Sequence, residues 1–189
     1  MNTIPRVLNE RVIRGSAATN VMLVVAASAI IAIAAQIAIN VPFSPVPLTM
    51  QPIAVLLVGV VLGSRRGAAA ALLYLFEGAG GAPVFAQAHG GVMWLAGPTA
   101  GYLWSYPFAA FVAGWFSERN WSSTIVRSVA GMLVALGVIY AGGFAWLSVL
   151  TGAQTAFRIG VVPFVAADIV KIAITASLLP RLQRLVVGS

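Results

Sequence analysis

The sequence predicts an all-α integral membrane protein of six transmembrane helices, with both termini in the cytoplasm. Three observations carry that prediction. Hydrophobic residues make up 60% of the 189 and charged residues only 8%, with a mean hydropathy of +0.98, far outside the soluble globular range. The apolar residues form continuous runs, without the alternation of barrel strands, so their backbone groups must be paired within helices. The arginines collect on one side of a six-span path.

Residues 1–18 read as a cytoplasmic N-terminal segment carrying Arg6, Arg11 and Arg14. The apolar run behind them is longer than a signal-peptide core and more spans follow, so it is expected to persist as a first helix at about 19–39. The second and third spans, about 50–63 and 66–78, are short, and Arg65 with Arg66 separates them. Interrupted short spans point to a transport site, because non-helical backbone at membrane depth survives only beside protein or a cavity. Ordinary tilted helices extended by their flanks are the alternative. The fourth span, about 98–117, opens on Gly97-Pro98, a helix-start signal. The fifth and sixth cover about 124–150 and 160–183. No polar block is long enough to fold separately, so 1–189 forms one membrane domain.

With the N-terminus inside, Arg6, Arg11, Arg14, Arg65, Arg66, Arg119, Arg127, Arg181 and Arg184 fall on inner segments. Only Arg158 falls outside, and Lys171 lies within a span. The net charge of +7 reflects these flanking arginines and needs no nucleic acid. The absence of cysteine excludes disulfides and thiolate metal sites. One histidine and four acidic residues make a poor metal site. No P-loop, G-x-S-x-G or H-E-x-x-H motif occurs, so neither an enzyme nor a cofactor is expected.

Three unusual segments then lie outside: "NVPFSPVPLTMQP" (40–52), "GAGGAPVFAQAHGGVMWLAGP" (78–98) and "TGAQTAFRIGVVPF" (151–164). The second is long and largely apolar, which suits a loop folded over a cavity better than a plain connection. Glu77 ends the third span three residues after Tyr74, which places both on one helix face. Asp168 and Lys171 share a face of the sixth helix, roughly 7–8 Å in from Pro163 for the aspartate. Charges at that depth are costly and by default mark a substrate or ion site, although the two could simply neutralise each other. Glu77 could simply reach water. Tyr102, Tyr106 and Trp94 suit either an interfacial belt or the wall of a pocket.

Four blocks, "PFSPVPLTMQ", "YLFEGAGGAPVFA", "GPTAGYL" and "PFVAADIVK", together resemble the BioY family, the biotin-binding S-components of energy-coupling-factor (ECF) vitamin transporters. The similarity runs from about Ala26 to Lys171. It implies the six-helix S-component fold in the cytoplasmic (inner) membrane of a prokaryote, with biotin bound near the outer face. It implies a substrate-binding set of Gln51, Tyr74, Glu77, Phe85, Gln87, Trp94, Tyr102, Asp168 and Lys171. Partners implied are a membrane coupling subunit and a pair of ATPases, or further copies of the chain where a member transports alone. The coupling contact of the family maps to Ser28 and Ala32, small residues that permit close helix approach. His89 departs from the mostly glycine loop of many relatives and inherits no role. An S-component for another vitamin, an ion-coupled carrier using Glu77 and Asp168, and a scaffold with a structural Asp–Lys pair are the competing readings.

Overall fold

The computed structural model describes residues 16–119, 121 and 124–187, with side chains as far as residue 177. The expectations for Arg6, Arg11 and Arg14, and for the side chains of Arg181 and Arg184, lie outside the described residues. Among the described residues seven α-helices follow in order: α1 (Ala17–Gln36), α2 (Gln51–Leu62), α3 (Ser64–Ala79), α4 (Ala100–Glu118), α5 (Ile125–Thr151), α6 (Ala153–Gly160) and α7 (Val162–Val187). By length and composition α1 and α5 can each cross a membrane, and the bent pair of α6 with α7 through Ser177 makes a third candidate.

α1 starts where the Ser16 side chain accepts the Thr19 N–H, an N-cap. Its inward residues, Ala27, Ser28, Ile31 and Ala35, recur at three- and four-residue spacing. Val21, Met22, Val25, Ile30 and Ile33 point outward, as an apolar solvent allows. The helix stops before the expected residue 39. Ala38 and Ile39 form β1, paired antiparallel with Leu48 and Thr49 of β2, so the proline-rich segment between them is clasped at its base.

α2 and α3 rise only about 18 and 24 Å, less than the ~30 Å hydrocarbon core. One residue joins them: Gly63, at φ +85°, a left-handed conformation that glycine adopts without a Cβ penalty. Arg65 and Arg66, which divide the two apolar runs in the sequence, are accordingly helical. They sit in the first turn of α3, because a left-handed glycine reverses the chain alone. Basic residues oppose the helix dipole there, and a carboxylate offsets them: Glu118, at the end of α4, accepts from the Ser64 N–H at 2.7 Å and its hydroxyl at 2.9 Å. At mid-length α2 touches α4 backbone to backbone, since a Cβ at Gly59 would strike the Ala110 carbonyl.

The segment 151–164, which the sequence reading leaves mostly between spans, takes regular structure. It is mostly helical, forming α6 and the first residues of α7, with a bend of 40° between the two helices. Gly152, at φ +82°, turns the chain out of α5.

Candidate functional site

A cavity of about 160 Å³ opens among the loop ends of α1–α4 and the facing parts of α5 and α7. Its walls are the clasped segment 40–52, the loop at 85–94, Tyr102, Leu103 and Tyr106 of α4, Ile139 and Tyr140 of α5, and Phe164 and Asp168 of α7. Prolines, aromatics and aliphatics dominate the lining, with a few polar groups among them, the usual character of a small-molecule site.

Asp168 is buried, 4% exposed. Its Oδ1 accepts from the Lys171 ammonium at 2.8 Å, and its Oδ2 from the Tyr140 hydroxyl at 2.7 Å. Lys171 also donates to the Thr49 carbonyl at 2.8 Å. The i,i+3 spacing on α7 therefore does bring carboxylate and ammonium together, and the ammonium further ties α7 to β2. Lys171 is not among the lining residues. It stands behind Asp168 and holds it.

Gln51 opens α2 and lines the cavity. Its side-chain amide donates to the Tyr74 hydroxyl at 2.5 Å, and its backbone N–H donates to the Thr49 hydroxyl. Tyr74 is fully buried and meets the edge of Phe85 at 5.6 Å between ring centroids. It orients Gln51 and backs Phe85 without reaching the cavity surface. Tyr102 presents its ring to the cavity while its hydroxyl donates to the Gly160 carbonyl at 2.8 Å, fastening the α6–α7 joint. Tyr106 is 4% exposed and lines the cavity, with no hydrogen bond to its hydroxyl among the described residues.

The loop wall is folded down. Gln36, at the end of α1, donates to the Val84 and Phe85 carbonyls and accepts from the Ala88 N–H. Phe85 bridges to His89, and the Gln87 side-chain amide donates to the Asn40 carboxamide oxygen. Gln87 and Ala88 both hold positive φ, 62° and 57°, an uncommon conformation for side-chain-bearing residues. Trp94 stacks on His89 at 4.0 Å, and both line the cavity.

Glu77 departs from its expected place. Tyr74 turns toward Gln51 and Phe85, whereas Glu77 turns toward α1 and accepts from the Ser28 hydroxyl at 3.1 Å. Three residues on a helix leave about 60° between side chains, enough to put one beside the cavity wall and the other against a neighbouring helix. The same bond turns Ser28, expected from the resemblance as a coupling residue, inward, where it is 1% exposed. Ala32 is half-buried against the core. Thus Gln51, Phe85, Gln87, Trp94, Tyr102 and Asp168 share the cavity, with Tyr74 and Lys171 as supports behind it. Tyr106 was visible in the sequence only as one of two tyrosines four residues apart. Tyr140 was missed altogether, since nothing in the sequence separates it from its apolar helix.

The BioY family's sequence profile matches residues 7–188. A probable biotin transporter BioY of Pyrococcus horikoshii is 40% identical over 166 residues, spanning 88% of this chain and 97% of that one. A biotin transporter BioY of Rhizobium etli is 39% identical over 163 residues, spanning 82% and 87%. Among solved structures, the S-component for biotin from an ECF-type ABC transporter superposes with a TM-score of 0.79, covering 88% of this chain and 92% of that one. At 23% identity that likeness is one of fold.

Proposed function

This chain belongs to the BioY family, and from that membership we propose that it binds biotin and serves its uptake as the substrate-binding subunit of a membrane transporter. The carrying observation is Asp168, a buried carboxylate on the cavity wall with one partner on each oxygen. A carboxylate has about four lone-pair positions, so further positions remain for a guest without breaking either bond. Biotin's ureido ring offers two N–H donors and one carbonyl. Asp168 accepts a ureido N–H and the Tyr106 hydroxyl donates to the carbonyl. Gln51, held by Tyr74, adds a carboxamide to the same end. Such charge-assisted bonds in a dry pocket are strong and directional. The ureido ring is neutral, so the Asp168–Lys171 pair stays balanced when the ligand enters. Phe85, Trp94 and the Tyr102 ring cover the apolar sulfur ring and tail.

The site reading also orients the chain. α1 to α5 and the bent α6–α7 pair make six spans of one membrane domain. The cavity lies at the ends of α3 and α4 remote from Arg65, Arg66 and Arg119. By the positive-inside rule it faces outward from the cytoplasmic membrane of a prokaryote, with both termini inside. No motif for nucleotide occurs in the sequence, so ATP-driven uptake draws its energy from a coupling subunit and ATPase pair on other chains. Where those are lacking, copies of this chain associate.

Titrating the purified protein with biotin is the test. Tight, saturable binding is the expected result, and absence of saturable binding to folded protein would contradict the reading.

A further inference from the structure

The cavity has a polar deep end and a polar mouth, and they differ in charge. Asp168, Gln51 and Thr49 are buried, while Gln87 and Asn40 are exposed and His89 is half-exposed. If the deep end takes the ureido ring, as proposed above, the ligand's tail and its carboxylate point to the mouth. That carboxylate meets a cavity already holding one carboxylate. Among the described lining residues there is no lysine or arginine, and His89 is the one side chain that can become a cation.

We infer that His89 is the carboxylate-binding residue of the site, and that it acts as an imidazolium. The inference rests on the biotin reading for the ligand's anionic end. The ring's surroundings support it independently. Nδ1 lies 2.8 Å from the Ala86 carbonyl, a group that only accepts, so Nδ1 carries a proton and donates. In the neutral ring Nε2 is then an acceptor, which would repel a carboxylate. One further proton at Nε2 turns it into a donor and gives the ring its charge. Trp94 stacks on the ring at 4.0 Å and 28°, which fixes the plane of the imidazole at the mouth. The Phe85 N–H donates to the His89 carbonyl at 2.9 Å and fixes its backbone. The net step is simple: the neutral ring takes one proton from solvent at Nε2, and the N–H so formed donates to the incoming carboxylate.

Competing charges are few. Of the elements packed against this loop, α1 carries no ionisable side chain. α3 presents Tyr74, which is bonded to Gln51, and Glu77, which is bonded to Ser28, with Arg65 and Arg66 in its opposite turn. α4 presents Tyr102 and Tyr106, with Glu118 at its far end. Across the cavity, Asp168 is held by Lys171 and Tyr140. None of these supplies a free cation to the ligand's acid.

The experiment compares biotin with its uncharged carboxamide in the full-length protein. The wild type is expected to prefer biotin by about tenfold, the worth of a charge-assisted hydrogen bond. That preference is expected to be larger at about pH 6 than at about pH 8, because the donating form of the ring carries one more proton. His89→Gln is expected to bring the ratio of the two affinities close to one. Equal affinities for both ligands in the wild type, or a preference that does not change with pH, would overturn the assignment of His89. So would an unchanged ratio in a folded His89→Gln protein. Should the wild type bind neither ligand, the biotin reading would fall as well, so the two failures are distinguishable.

Discussion

Two carboxylates, Glu77 and Asp168, look alike in the sequence and differ in the structure. Each interrupts an apolar helix near its cavity-side end. Asp168 opens on the cavity, with its charge matched by Lys171 and its geometry set by Tyr140. Glu77 turns to α1 and is bound by the Ser28 hydroxyl. The first is held so as to leave room for a guest, and the second stitches two helices together. Depth in the membrane raises the cost of a charge in both places, but the helix face decides what the charge is for.

Substitutions around the two residues sharpen that difference. The largest expected effect is Lys171→Met. It strips the buried Asp168 of its cation and should cost about 3–5 kcal/mol of stability, with biotin affinity falling as well; thermal unfolding and titration together would report it. Tyr106→Phe removes only a hydroxyl from the cavity and should weaken biotin by about tenfold, with the melting temperature nearly unmoved. Gly78→Ala is expected to act on the wall itself. The Phe85 ring occupies the space a Cβ would need, and the displaced ring should cost about 1–3 kcal/mol and raise the biotin dissociation rate. The smallest effect belongs to the other carboxylate: Ser28→Ala should lower stability by about 1 kcal/mol and leave biotin affinity within error. A large affinity loss from Ser28→Ala would erase the contrast between the two sites.

The parts of this arrangement that could be read from the sequence are those with local signals. The apolar runs are such signals: the spans read at about 124–150 and 160–183 stand beside helices at Ile125–Thr151 and Val162–Val187. The spacing of Asp168 and Lys171 paired them correctly, and the loop at 78–98 did prove to wall a cavity. What escaped was direction around each helix. In a soluble protein an apolar stripe marks the buried face, but against lipid both faces are apolar and the stripe disappears. α1 shows it: Ile31 is fully buried and Ile30 and Ile33 are exposed, although all are the same residue. Ser28 therefore looked as available to a partner as any small residue, and Glu77 looked as close to the ligand as Tyr74. Contacts across long sequence separations were equally silent. Tyr140 meets Asp168 from 28 residues away, and Lys171 reaches Thr49 across 122.

The central claim is that Asp168 is the ligand-binding carboxylate and Glu77 is not. Biotin titration of purified Asp168→Asn and Glu77→Gln proteins, each checked for folding, tests it most directly. Asp168→Asn is expected to lose about a hundredfold or more in affinity, the equivalent of ~3 kcal/mol, while Glu77→Gln stays within about threefold of the wild type. Wild-type affinity in a folded Asp168→Asn protein, or comparable losses in both, would contradict the account.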